Sequence, residues 1–314
     1  MKKPIAIFCA DIHLSHTPPV ARSAEPDWYA AMARPLRELN ALATKHGCPV
    51  LCAGDIYDRW NSSPELINFA IDELPQMYAV PGQHDLPLHR LDDIKKSAYW
   101  TLVKSGKVID MWFDKKSYTT PDWVIPDVLH VLGFPWGKEL HGIEGREDYP
   151  DSTDIQMALI HRYIWTKGAS YPGAPVDQKL SSYSSVLQGY DYAVFGDNHI
   201  GFMAKSGDSI VVNCGCMIPR KSDERNCGPS VWLLGGDKSV RRHKLDTSQD
   251  RWLEPVEAEA LEGRNSELDE FVAGLEELET DSLDFRDGVL RYIEDNKVSS
   301  GVRSAIMNAM EGGD

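Results

Sequence analysis

Five polar clusters in this chain hold residue types that ligate metals, and each closes a short apolar run. Asp11-Ile12-His13 follows Pro4 to Ala10. Gly54-Asp55-Ile56-Tyr57-Asp58-Arg59 follows Pro49 to Ala53. Gly82-Gln83-His84-Asp85 follows Met77 to Val80. His161 ends the run from Met157, and Gly196-Asp197-Asn198-His199 follows Tyr192 to Phe195. Carboxylates, imidazoles and an amide brought together make a mixed oxygen and nitrogen donor set. Such a set suits manganese first, with magnesium, iron and zinc as alternatives. There are enough donors for two ions, and two ions about 3.5–4 Å apart clamp both oxygens of an in-line displacement. A carboxylate such as Asp55 can bridge them, whereas a histidine cannot. One Asp-x-His pair arises by chance, and a lone histidine is usually structural. Five such clusters are different, because buried ionisable groups are costly unless paired or metal-bound.

Sites in open α/β sheets form beyond the carboxyl ends of strands, so the apolar runs are predicted to be strands. A helix is expected over 27–46, kinked at Pro35 and capped by Gly47. A second is expected over Pro64–Leu74, with Ser63 as N-cap. Further strands are expected at Val128–Phe134, Ile210–Cys214 and Val231–Leu234. Few helices separate these later strands, which argues against a purely parallel sheet. Residues 137–153 and 162–182 read as long irregular segments, often functional in compact domains. In the second, Arg162, Tyr163, Trp165, Lys167 and Tyr171 interleave basic and aromatic groups. That texture fits a nucleotide strand, or a loop packed on its own aromatics. Trp60 and Trp136 read as packing or base-stacking residues, and His16 and His89 match no ligand position.

The texture changes near residue 250. Leu268, Phe271, Val272, Leu275 and Leu278 keep helical spacing, as do Phe285, Val289 and Ile293, then Val302, Ile306 and Met310. The expected organisation is a catalytic domain over 1–250 and an acidic helical appendage over 251–314. Amphipathic helices there suit packing on the body or docking a partner equally. Residues 253–314 carry 17 acidic and 5 basic side chains, net −12 of the chain's −15. The body is nearly neutral, so it lacks the basic surface of a nonspecific DNA binder. Any grip on nucleic acid is then local, metal-assisted or supplied by a partner.

The six cysteines form no Cys-x-x-Cys pair, which disfavours structural zinc and fits a reducing cytoplasm. No run of 18 apolar residues predicts a membrane span, so no membrane association is expected. Asp11 interrupts the apolar run after Lys2-Lys3-Pro4, so this stretch does not read as a secretory leader.

The order of the five clusters, over roughly residues 4–245, resembles the calcineurin-like metallophosphoesterases. Within them it is most similar to the SbcD-type nuclease branch. The segment Val212-Asn213-Cys214-Gly215, then Ile218-Pro219-Arg220-Lys221-Ser222-Asp223-Glu224, resembles that branch's turn ending in a basic residue, Ser and Glu. The resemblance implies a sandwich of two mixed β-sheets flanked by helices, with a small C-terminal helical appendage. It implies that Asp11, His13 and His199 hold one metal, that Asp55 bridges, and that Gln83, His161 and Asp197 hold the other. His84, oriented by Asp58, would stabilise the transition state, Arg59 would contact the phosphate, and a metal-bridging hydroxide would be the nucleophile. Two positions depart from the family pattern. Gln83 stands where Asn is usual, and Asp197 where His is usual, a change expected to tune the second site towards manganese or magnesium, or to weaken it.

The function so implied is a metal-dependent phosphodiesterase acting on DNA, as in DNA repair. The chain would be the nuclease subunit of an SbcC/SbcD-like pair, its tail docking an SbcC-like ATPase, with homodimerisation open. Two rivals are a small-molecule or cyclic-nucleotide phosphodiesterase or phosphatase, and a non-catalytic scaffold.

Overall fold

In the computed structural model, β1 (Pro4–Cys9) lies at the heart of the fold and shows how the sequence divides its apolar residues. Side chains alternate faces along a strand. Ile7 and Cys9 therefore pack against helices, while Ala6, Phe8 and Ala10 face a second sheet. The same division recurs in β2 (Val50–Cys52): Val50 and Cys52 on the helix side, Leu51 between the sheets. The structure describes residues 2–112, 124–125, 129–143, 155–171, 173–254 and 257. The chain falls into two units, one of Met1–Pro19 with Glu25–Arg251, the other of Val20–Ala24 with Trp252–Asp314.

The larger unit holds two six-stranded sheets. The first runs β12 (Val240–Lys244), β11 (Ser230–Gly235), β1, β2, β3 (Met77–Ala79), β4 (Val108–Asp110). Its β1 to β4 are parallel, and β11 and β12 are antiparallel additions. The second runs β5 (Val124–Ile125), β6 (Leu129–Phe134), β7 (Ile155–His161), β8 (Tyr192–Gly196), β10 (Ser209–Asn213), β9 (Phe202–Ser206). Here β6, β7, β8 and β10 are parallel, with antiparallel edges. Both sheets are mixed, as the fold implied by the resemblance requires. Phe8, Leu51 and Val80 meet Met157, Leu159, Val194 and Val212 between them. On the far side of the second sheet, Ile160, Phe195 and Val211 pack with Ile164, Leu180 and Leu187.

Among the described residues, three α-helices cover the first sheet. α1 (Trp28–His46) starts where Asp27 accepts from the Ala30 N–H and ends at left-handed Gly47. It runs through Pro35 as one element. A proline inside a helix costs about 3 kcal/mol, and α1 offsets this by burying Met32, Leu36 and Leu39, each worth about 1.5–3 kcal/mol. α2 (Pro64–Glu73) has Ser63 as N-cap, as expected. α3 (Ala98–Ser105) was not expected, although Ser97 and Gly106 cap it and Tyr99 and Leu102 are buried.

In the smaller unit, the Arg22 guanidinium lies 4.7 Å from the Trp252 ring centre, and the Leu253 N–H donates to the Ala21 carbonyl at 3.0 Å. The amphipathic helices expected between 268 and 310 lie outside the described residues. Among the described residues no helix is long and apolar enough to cross a membrane.

Candidate metal centre

The parallel strands of both sheets deliver their carboxyl ends to one place. β1 leads into Asp11 and His13, β2 into Asp55, β3 into Gln83 and His84, β7 ends on His161, and β8 leads into Asp197 and His199. Backbone bonds lock these turns together. The Asp11 N–H donates to the Gly54 carbonyl and the His13 N–H to the Asp55 carbonyl, both at 3.0 Å. Asp11, His13, Asp55 and Asp197 have φ of 50°, 51°, 53° and 82°. Non-glycine residues rarely adopt that region, and such strain gathers where side chains must be aimed. The turns also need room. A Cβ on Gly82 would sit 2.0 Å from the Asp55 carboxylate, and one on Gly54 would sit 2.2 Å from the His161 ring.

Seven of the residues picked out from the sequence form one continuous cluster. Asp11, His13 and His199 present donor atoms within 4.8 Å of one another, and so do Asp11, Asp55 and His161. Asp55 spans the two groups, with Oδ2 3.8 Å from His13 Nε2 and 3.3 Å from His161 Nε2. Gln83 Oε1 lies 2.7 Å from His161 Nε2, and Gln83 Nε2 donates to Asp197 Oδ1 at 3.1 Å. The two positions that depart from the family pattern are therefore in contact.

The electrostatics fit divalent cations. Asp11, His13, Asp55 and His161 are all buried. Burial pushes the Asp11 carboxyl up to about 7, and drives His13 well below the usual histidine range, keeping it neutral for ligation. Burial would also raise Asp55 and lower His161, but each charge holds the other: Asp55 sits below the ordinary carboxylate range and His161 well above the ordinary imidazole one. Buried carboxylates that must borrow protons or imidazolium charge are what a dication relieves. His13 Nε2 and His199 Nε2 face each other at 3.2 Å, an arrangement for a shared ligand. The His161 Nδ1–H donates to the Ala53 carbonyl at 2.6 Å, which leaves Nε2 as the donor atom. The residues present thus fit a divalent-metal centre: Asp11, His13 and His199 would hold an ion on one side, and His161, Gln83 and Asp197 are the candidates for a second, with Asp55 between.

His84 stands at the edge of this cluster. His13, Asp58 and His84 present donor atoms within 4.8 Å of one another, and the His13 and His84 rings meet edge-on at 5.0 Å. The expected orientation of His84 by Asp58 runs through the main chain: the His84 Nδ1–H donates to the Asp58 carbonyl at 2.8 Å. The Asp58 carboxylate is bound by Arg220 Nη1 instead. Arg59, the expected phosphate contact, is exposed.

Two residues that touch the candidate site lacked a role in the sequence reading. Glu224 Oε1 accepts from His199 Nδ1 at 2.5 Å, while its Oε2 accepts from the N–H groups of Arg220 and Lys221. Burial opposes both charges, but the contact lifts His199 to about 9 and lowers Glu224 to about 2. Carboxylate-backed histidines of this kind are frequent metal ligands. The signal was the Ser222-Asp223-Glu224 turn, whose charges otherwise read as a solvated surface. The second is Arg220, whose guanidinium reaches Asp58 from the same turn. Elsewhere, His16 bonds the Tyr29 hydroxyl at 3.0 Å and the His89 ring meets Trp136 edge-on at 5.4 Å. In the 162–182 segment, Arg162 donates to the Lys138 carbonyl, Lys179 covers Trp165, and Tyr163 meets Tyr171. That segment packs on its own aromatics.

No curated protein matches this sequence. Among solved structures it is similar to TT1561 of Thermus thermophilus, with 11% identity over 78% of this chain and 100% of that one, TM-score 0.43. It is similar to an archaeal phosphodiesterase, with 14% identity over 76% and 99%, TM-score 0.37. YfkN of Bacillus subtilis, described as a calcineurin-like phosphoesterase, shares 14% identity over 76% and 87%, TM-score 0.39. The profile of the calcineurin-like phosphoesterases matches residues 6–201, a span that contains all seven candidate ligands. With that match over most of the chain, the protein belongs to the calcineurin-like phosphoesterase family and is a metal-dependent phosphoester hydrolase.

Proposed function

We propose that this hydrolase cleaves phosphodiester bonds of DNA, with manganese as its working metal. The observation that supports cleavage of an unactivated phosphoester is His84, held at the edge of the ligand cluster by the Asp58 carbonyl. That bond keeps one proton on Nδ1, so the imidazolium form of the ring can hand its second proton, on Nε2, to a departing alkoxide and be left as the neutral Nδ1–H ring. Asp11 and Asp55 supply the negative charge that concentrates cations, and His13 stays neutral. Two bound cations would lower the pKa of water towards neutrality and offset charge on the phosphoryl oxygens. Asp197 puts an oxygen donor where the family pattern has a His nitrogen, and Gln83 keeps the amide oxygen of the usual Asn, which supports a harder ion than zinc.

The choice of DNA rests on the 212–224 segment, whose Glu224 backs His199 and whose pattern resembles the SbcD-type branch. The near-neutral body favours the other reading, a small-molecule diesterase. If DNA is the substrate, the acidic 253–314 tail docks an ATPase that supplies the grip. Comparing kcat/KM for linear duplex DNA, single-stranded DNA, a chromogenic diester and a phosphomonoester tests this. The nuclease reading expects manganese-dependent cleavage of both DNA and diester. Cleavage of the monoester in preference to every diester would contradict it. Removing 253–314 is expected to spare diester hydrolysis and to abolish capture of an SbcC-like ATPase. Capture by the shortened chain would contradict the docking role.

A further inference from the structure

We infer that Arg220 is a catalytic residue, its guanidinium taking a non-bridging oxygen of the substrate phosphoryl group. The inference rests on the phosphoester reaction alone, and is independent of whether DNA is the substrate.

The argument begins with the backbone. The segment after β10 is tied to the ligands' own main chain: the Cys216 N–H donates to the His199 carbonyl at 3.1 Å, and the Met217 N–H to the Asp11 carbonyl at 3.2 Å. The Arg220 N–H donates to Glu224 Oε2 at 2.7 Å, and Glu224 in turn holds His199. The position of Arg220 is therefore fixed by the same turn that fixes a metal ligand.

Its side chain reaches across to the other half of the site. Nη1 donates to the Asp58 carboxylate, whose oxygen lies within 4.8 Å of donor atoms of both His13 and His84. The positive charge is close enough to act on the buried His13 ring. A guanidinium carries five N–H donors, and Asp58 takes one of them. Nε is buried with no partner. Leaving such a donor unmade is costly, and a phosphoryl oxygen bound beside His84, towards which the guanidinium turns, would relieve it. The Arg220 side chain is 20% exposed, so it is both reachable and partly shielded from water. Arg59, by contrast, is exposed. An arginine braced on one side by a carboxylate presents its remaining fork in a set geometry, which suits a phosphate more than a mobile surface cation does.

The competing role is purely positional: Arg220 would merely hold Asp58, and through it His84. Affinity for inorganic phosphate separates the two, since a clamp on Asp58 does not bind phosphate. The full chain, loaded with manganese, is assayed on a chromogenic diester with inorganic phosphate as competitive inhibitor. Metal content and melting temperature are measured for each variant. Arg220→Ala is expected to lower kcat/KM by roughly 10²- to 10³-fold and to weaken phosphate inhibition by about tenfold or more. Metal content should stay the same. Arg220→Lys keeps the charge without the fork and should recover part of both. It also serves if the alanine variant folds poorly. Asp58→Asn should slow hydrolysis while phosphate inhibition stays within about threefold of wild type. Unchanged phosphate inhibition in both Arg220 variants would overturn the inference, as would an equal weakening in Asp58→Asn. A wild-type chain that binds metal and leaves the diester intact would overturn the parent reaction and this role with it.

Discussion

His199 and His161 sit on opposite sides of the centre and are held in different ways. His199 is backed by the Glu224 carboxylate at 2.5 Å, and its neighbours Asp11 and His13 follow the family pattern. His161 is backed by a neutral carbonyl, that of Ala53, and its neighbours are the two departures, Gln83 and Asp197. One side therefore places its extra negative charge behind a candidate ligand. The other places it among the candidate ligands. A carboxylate behind a histidine raises that histidine's basicity, whereas a carboxylate in place of a histidine hardens the donor set itself. The contact between Gln83 and Asp197 explains how both replacements are tolerated together. The longer Gln83 side chain reaches Asp197 through its amide nitrogen and still turns its oxygen to His161.

The largest effect should come from removing the group that joins the two sides. Asp55→Ala is expected to abolish diester hydrolysis and to reduce bound manganese from about two ions per chain to one or fewer, counted by elemental analysis. Full occupancy in that variant would show that the sides do not share Asp55. Gly82→Ala should mimic it in part, because the new Cβ would meet the Asp55 carboxylate at 2.0 Å.

His84→Ala lies outside both ligand groups. It should retain both metals and lose about 10²- to 10⁴-fold in kcat. A matching loss of metal would make His84 a ligand and break the division.

The two sides can then be separated. Glu224→Gln should weaken metal binding about 10- to 100-fold on the His199 side and leave the His161 side unchanged, read by calorimetric titration. The paired change Gln83→Asn with Asp197→His should instead shift preference towards zinc on the His161 side. Equal zinc and manganese preference before and after that change would contradict the reading of the departures.

The smallest expected effect lies away from the centre, at Asp110. Burial raises its carboxyl to about 6, against the pull of a bond from the Tyr99 hydroxyl. The folded value exceeds the ordinary 3.8, so the fold favours the protonated acid. Its stabilising contribution is complete below pH 3.8 and is lost as pH rises to about 6. Asp110→Asn cannot titrate, so its stability relative to wild type should rise by about 1–2 kcal/mol between pH 4 and pH 8. Denaturant melts at the two pH values check this, and a difference that falls with pH would contradict it.

Much of this centre was legible because each ligand cluster directly ends a hydrophobic strand, so local pattern and site coincide. Arg220 and Glu224 were harder to read. They lie in a run of charged residues that resembles a solvated turn, and their partners Asp58 and His199 are distant in sequence or separated by two strands. The edge strand β12 was missed for a related reason. Its Arg241, Arg242, His243 and Lys244 form no apolar run, yet charges on an edge strand discourage unwanted pairing. α3 was missed although its two caps were present, because eight residues carry little periodicity.

The most direct test of the account is hydrolysis of end-labelled duplex and single-stranded DNA by the manganese-loaded chain, beside His84→Ala with the same measured metal content. The account predicts cleavage by the wild type and a loss of about 10²- to 10⁴-fold in the variant. Undiminished cleavage by His84→Ala, or intact DNA with a fully metallated wild type that cleaves only small esters, would contradict it.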